Sequence, residues 1–161
     1  LFRSSGYCTR MSSQILVHKK HDLVDGLLQA VQQKGICYAS IGVIKEDTIY
    51  SAFSHPLWQE HYIKNTLHLN DPSFKAAVNL LEIPILWDSV PLYTSTAIEV
   101  MNNRCEAVGA VGGATICFEA DKKKLLLTLG TSIKENVAGT ISSALKSFNP
   151  QEILCSYLNP L

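Results

Sequence analysis

GGATICFE (residues 112–119) and KLLLTLGT (residues 124–131), separated by the charged turn at residues 120–123, form the stretch that decides the fold. Both runs are β-branched or apolar at most positions and are bounded by polar residues, so they read as the two strands of a hairpin. A second pair stands upstream. ICYASIGVI (36–44) and TIYSAF (48–53) flank the polar break at residues 45–47 and predict another hairpin.

Around these hairpins the pattern is helical. Ile15, Leu23, Leu27, Leu28 and Val31 recur at three- and four-residue spacings over residues 14–34, and Gly35 is a natural stop. Pro56 opens a helix in PLWQEHYIKNTLHLN, and Asp71-Pro72 opens a shorter one to about residue 81. Residues 94–108 place Ile98, Met101, Cys105 and Val108 on one side of a helix. Ser132 and Glu135 spell a capping box, which predicts a helix from about residue 133 to 148, ended by Asn149-Pro150. A further strand is expected within residues 81–87, and the tail from 151 reads as a helical segment or a linker. The expected class is α+β: an α/β/α sandwich whose central antiparallel sheet is flanked by helices.

The 161 residues suit one domain, and 47% are hydrophobic against only 17% charged. That excludes disorder, which needs low hydrophobicity and excess charge. Fourteen basic and fourteen acidic residues cancel, which argues against a self-sufficient nucleic-acid binder. The low charge calls for a large core, an apolar ligand cavity or a buried partner surface. Five scattered cysteines (Cys8, Cys37, Cys105, Cys117, Cys155) make no CxxC pair, so free thiols in a reducing cytoplasm are expected. His18, His21, His55, His61 and His68 form no metal constellation, and no metal or cofactor is expected. The longest apolar stretch, residues 107–118, is too short and too glycine-rich to cross a bilayer. No nucleophile elbow, P-loop or dinucleotide motif accompanies Cys105 or Cys117, so an enzyme is not expected.

Trp58, Tyr62, Asp71-Pro72, Trp87, Gly109 and Gly113 with the Ala-Thr-Ile that follows occur in that order. Tyr62 follows Trp58 by four residues, Asp71 follows Tyr62 by nine, and Trp87 follows Asp71 by sixteen. This series resembles the autoinducer-binding domain of LuxR-family quorum-sensing transcription regulators. It spans the chain from the Tyr38-Ala39 strand to the last hairpin. The resemblance implies a GAF/PAS-like α/β/α sandwich enclosing an N-acyl homoserine lactone. It implies that the Trp58 indole donates to the lactone carbonyl, that Tyr62 packs beside the ring, and that Asp71 accepts the ligand amide N–H. Trp87 becomes the aromatic wall at the lactone head, and Thr128 a hydroxyl near the first acyl carbons. Ala39, Ile41, Phe74 and Ala110 become further wall positions. Ser54 stands where the family commonly has a tyrosine.

The same residues have structural readings. Trp58 and Tyr62 at helical spacing also suit core packing, Asp71-Pro72 also suits a helix cap, and Trp87 also suits a plug between prolines. Gly113 also suits a close backbone approach. A regulator of this type carries a C-terminal helix-turn-helix, whereas Lys134 and Lys146 are the only cations after Lys124. The expected organisation is therefore a disordered or appended segment at 1–13, a sensor domain at 14–150, and a linker at 151–161 towards an absent DNA-binding domain. The expected partners are a small-molecule autoinducer and a second copy of the chain, with DNA engaged only through that absent domain and no membrane. The alternative is a GAF/PAS-like orphan sensor that takes a different apolar ligand or folds without one.

Overall fold

A computed structural model describes residues 15–17 and 21–158. The strands are β1 (Ile15–Val17), β2 (Ile36–Lys45), β3 (Thr48–Phe53), β4 (Ile85–Leu86), β5 (Gly112–Ala120) and β6 (Lys123–Thr131). The helices are α1 (His21–Val31), α2 (Pro56–Lys64), α3 (Pro72–Asn79), α4 (Ser95–Val108), α5 (Val137–Leu145) and α6 (Pro150–Leu158). Short 3-10 turns at Gln32–Lys34, Leu67–Asn70 and Trp87–Ser89 complete the chain. One sheet of six strands runs β1-β3-β2-β6-β5-β4. Every pairing is antiparallel except β1 with β3.

Both predicted hairpins form. The β5–β6 turn is tight because Asp121 and Lys122 adopt positive φ (52° and 62°), which turns the chain with the strands' own twist. The two faces of the sheet then separate by strand alternation. Ala39, Ile41 and Val43 of β2, with Leu125, Leu127 and Leu129 of β6, pack with Val24 and Val31 of α1, Ile141 and Ala144 of α5, and Ile153 and Leu154 of α6. Tyr38, Ile44, Cys117 and Leu126 point the other way, to Trp58 and Tyr62 of α2, Ala77 of α3 and Met101 and Val108 of α4. The result is the expected α/β/α sandwich. A strand buried on both faces loses the usual polar alternation, which is why β6 reads as a leucine run.

Several local expectations change. Residues 15–17 are a strand rather than the first turn of a helix, because the β-branched edge finds a partner in β3. The capping box at Ser132 does not start α5. Thr131 Oγ1 accepts the Ile133 N–H at 3.0 Å, and the cap is instead Asn136, whose Oδ1 accepts the Gly139 N–H at 3.1 Å. Asn136 sits at φ 55°, a conformation asparagine tolerates better than most residues. Asn149-Pro150 closes one helix and opens the next: Asn149 Oδ1 accepts from Gln151 N (3.0 Å) and Glu152 N (3.3 Å), with proline at the first turn. The tail thus forms α6 and docks on the core. On α4 the buried side is Ala97, Val100, Met101, Arg104 and Val108, whereas Ile98 is exposed. The predicted segment at 1–13 lies outside the described residues. No described helix is long and apolar enough to cross a membrane.

Candidate functional site

The layer built by α2, α3 and α4 covers one face of the sheet and places an acid there by helix-capping chemistry. Asp71 caps α3: its Oδ1 accepts the backbone N–H of Ser73 at 3.1 Å and of Phe74 at 3.3 Å, and the Ser73 hydroxyl at 2.7 Å. The other oxygen faces inward, where Tyr62 Oη donates to it at 2.7 Å and Arg104 Nη2 forms an ion pair with it. The cap reading and the buried-site reading of Asp71 are therefore the same geometry. Asp71 and Arg104 are 2% and 3% exposed, so this pair is held in low dielectric.

Arg104, like the wall residues Tyr38, Ser40, His68 and Thr115, was not among the expected site residues. It sits on the buried stripe of α4, but its charge disguised it as a solvent-facing position. Its guanidinium lies 5.2 Å from the Trp87 ring centroid and 5.9 Å from that of Tyr62, between two aromatic faces. Among the described residues Nη1 donates to Ser73 Oγ at a long 3.4 Å and to the weak acceptor Met101 Sδ at 3.4 Å. The only sequence signal was an arginine three residues after Met101 and four before Val108, on the apolar face of a helix.

Beside this pair lies a small cavity of about 50 Å³. Its walls mix Tyr38, Ser40, Ser51, Thr115 and Thr128 with Ile49, Phe53, Phe74 and Leu126. Thr115 and Thr128 face each other across the β5–β6 register at 3.4 Å, and Trp87 Nε1 donates to Thr115 at 3.4 Å. Trp87 reaches that position because the sheet beneath it is glycine. A Cβ on Gly113 would stand 2.8 Å from the indole and collide with the Leu129 carbonyl, and one on Gly130 would stand 3.1 Å from the indole. Gly113 thus serves the close approach that its place in the sequence allowed.

The remaining predicted residues divide. Tyr62, Asp71, Phe74 and Thr128 line the cavity, and Trp87 touches it through Arg104 and Thr115. Ile41 borders it, but its side chain belongs to the opposite core, as does Ala39, because strand alternation turns both away. Ala110 packs against the Gly130 backbone. Trp58 and Ser54 line a separate open cleft of about 620 Å³ between α2 and α4, with His55, His61, Asn103 and Glu106. Ser54 is occupied by the strand: its Oγ accepts from Ala39 N at 3.1 Å and contacts His55 Nδ1 at 2.9 Å. Trp58 Nε1 is buried without a well-formed hydrogen bond among the described residues, though it lies close enough to the Tyr38 hydroxyl to influence it. Tyr38 lines the cavity, and its ring is 5.5 Å from that of His55 in the cleft. The contact between these two rings joins a wall of the cavity to a wall of the cleft.

Burial and charge tune these groups in opposite directions. Burial alone pushes the Asp71 carboxyl up, but the Arg104 charge and the hydrogen bonds from Ser73, Tyr62 and Arg104 outweigh it and hold the carboxyl below its ordinary value. Burial, then the neighbouring carboxylate, pushes Tyr62 well up, and burial pushes Tyr38 up to about 12. The cavity therefore presents one ion pair, neutral hydroxyls and the imidazole of His68. Burial also raises the Cys105 thiol, and Cys117 to about 11, away from thiolate chemistry.

The Asp71 shift has a testable sign. Its folded value lies below the ordinary ~3.9 of an unfolded aspartate, so its stabilisation is complete above about pH 5 and is lost as pH falls through the folded value. Asp71→Asn is expected to lower stability at pH 7 by stranding Arg104. It is also expected to flatten the decline between about pH 5 and pH 3, read from urea midpoints across that range.

No protein-family model and no curated protein sequence matches this chain. Among solved structures, the fold matches the N-acylhomoserine lactone dependent LuxR-family transcription factor CepR2 from Burkholderia cenocepacia, with a TM-score of 0.62 and 15% identity over 84% of this chain and 83% of that one. It matches SdiA in complex with octanoyl-rac-glycerol at a TM-score of 0.53 and 12% identity, covering 91% of this chain and 66% of that one. Escherichia coli SdiA matches at 0.57 and 14%, covering 97% and 71%. The expected likeness to LuxR-family sensor domains holds at the level of the fold.

Proposed function

We propose that this chain is the ligand-sensing domain of a LuxR-type transcription regulator and that it takes a small acyl amphiphile in the space beneath α2, α3 and α4. One observation supports this reading above the others: on a fold shared with acyl-ligand sensors, hydroxyls, an ion pair and apolar walls converge on one cavity beside the sheet. No catalytic step is assigned to it. N-acyl homoserine lactone is the effector that the resemblance implies, and CepR2 is described as dependent on one. A different neutral apolar ligand is the second reading. The ion pair between Asp71 and Arg104 favours it, because the acceptor meant for a ligand amide is already engaged.

The cavity as it stands has room for about the volume of a few waters, whereas small-molecule sites run to roughly 300 Å³ or more. Ligand entry in this reading displaces the Tyr38 ring towards His55 and the cleft. In this reading the domain dimerises, and linkage between ligand and dimer carries the signal to a DNA-binding partner domain in the cytoplasm.

Thermal unfolding with a panel of acyl homoserine lactones and acyl glycerols of graded chain length tests the proposal. A ligand at a hundredfold its Kd adds about 2.7 kcal/mol, or roughly 5 °C or more in Tm for a chain this size. Thr128→Val should shrink that shift. A flat response to every acyl compound, in protein that unfolds cooperatively, overturns it.

A further inference from the structure

We infer that Arg104 sets the ligand's head-group chemistry: the site selects a neutral acyl ester or ketone, whose head offers only oxygen acceptors, over an acyl amide. This rests on the ligand-sensing reading above and refines it. The Asp71 carboxylate, the acceptor that an amide N–H would need, receives five donors: Ser73 N, Ser73 Oγ and Phe74 N on one oxygen, Tyr62 Oη and Arg104 on the other. A carboxylate has about four lone-pair sites, so no place remains for an amide N–H. A buried amide N–H would lose its water without gaining a partner.

Acceptors on a ligand meet the opposite situation. Among the described residues Arg104 Nη1 donates at 3.4 Å to Ser73 Oγ, a long contact, and at 3.4 Å to Met101 Sδ, a weak acceptor. Thr115 Oγ1 makes long contacts to Thr128 (3.4 Å), Ser73 (3.5 Å) and Trp87 Nε1 (3.4 Å), so each can exchange a weak partner for a better one. A carbonyl oxygen placed among them improves both. A neutral head is expected because the Asp71 carboxylate is already balanced by Arg104, with the His68 imidazole the remaining titratable side chain on the wall beside Tyr38 and Tyr62. A carboxylate entering it would leave an uncompensated buried charge. The rings of Trp87 and Tyr62 hold the guanidinium in place, so the choice is built into the packing.

Matched probes separate this from its alternatives. N-octanoyl homoserine lactone and its ester isostere α-octanoyloxy-γ-butyrolactone differ only in N–H against O, and octanoate supplies the charged head. Titration calorimetry on the wild-type chain should show the ester binding about tenfold or more tighter than the amide. Octanoate should bind more weakly than the ester. Equal or tighter binding of the amide overturns the inference while leaving the ligand-sensing reading intact, and so does preference for octanoate. Failure of all three to bind overturns the inference, and the graded lactone and acyl-glycerol panel then decides the ligand-sensing reading. Arg104→Met leaves Tyr62 Oη as the one donor on Asp71 Oδ2, which opens a place there for an amide N–H, and should shift the preference towards the amide. An unchanged ratio in folded Arg104→Met protein overturns the assignment to Arg104, and if that variant does not fold, the wild-type ratio decides.

Discussion

Arg104→Met should destabilise the domain by about 3–5 kcal/mol at pH 7, because it removes one member of a buried ion pair and leaves Asp71 without its countercharge. The pH profile distinguishes this from ordinary loss of packing. Without Arg104, burial becomes the dominant influence on Asp71 and drives its carboxyl above the unfolded value. A carboxyl raised in the folded state is disfavoured where it must ionise, so the deficit should shrink as pH falls towards about 4, opposite in sign to the wild-type trend. Asp71→Asn combined with Arg104→Met removes both charges while keeping an asparagine that still caps α3. The double variant should recover about 2 kcal/mol or more relative to Arg104→Met alone, measured by urea denaturation with unchanged m.

Trp87→Ala is the second large effect, with an expected loss of about 3–5 kcal/mol. The indole is 5% exposed, stacks over Arg104, donates to Thr115 and fills the space that Gly113 and Gly130 leave open. The backbone beneath it cannot collapse further, so the vacated volume persists as a cavity. Gly130→Ala supplies the partner test. In the wild type its Cβ would press on the indole at 3.1 Å, on Ala110 Cβ at 3.2 Å and on Tyr38 Cβ at 3.3 Å. With Trp87 gone, the first of these obstacles disappears, so the two substitutions together should cost less than the sum of the singles, by about 0.5 kcal/mol or more. Strict additivity in denaturation data would falsify the view that glycine there exists to admit the ring.

These two side chains show where reading the chain succeeds and where it stops. The hairpins were legible because β-branched runs and polar turns act within a few residues. The antiparallel β5–β6 register follows from that local chemistry. The position of Asp71 was legible for the same reason, since capping joins it to Ser73 and Phe74 next door. The start of α5 was misplaced because two capping patterns, at Ser132 and at Asn136, stand four residues apart. Tertiary contacts chose between them: Thr131 Oγ1 donates to the Gly35 carbonyl at 2.6 Å while accepting from Ile133 N, which keeps that segment out of the helix.

Sequence by itself determined the α/β/α class, the two hairpins and the acid at the head of α3, because each depends on neighbours a few residues apart. Tertiary structure alone decided which face each wall residue serves. Ala39 and Ile41 turn away from the cavity although Ser40 between them lines it. It also decided that Asp71 is met by a cation 33 residues along the chain. A charge on a helix face is indistinguishable in sequence from a solvated one, and only the burial of α4 against Trp87 and Tyr62 makes Arg104 part of the site.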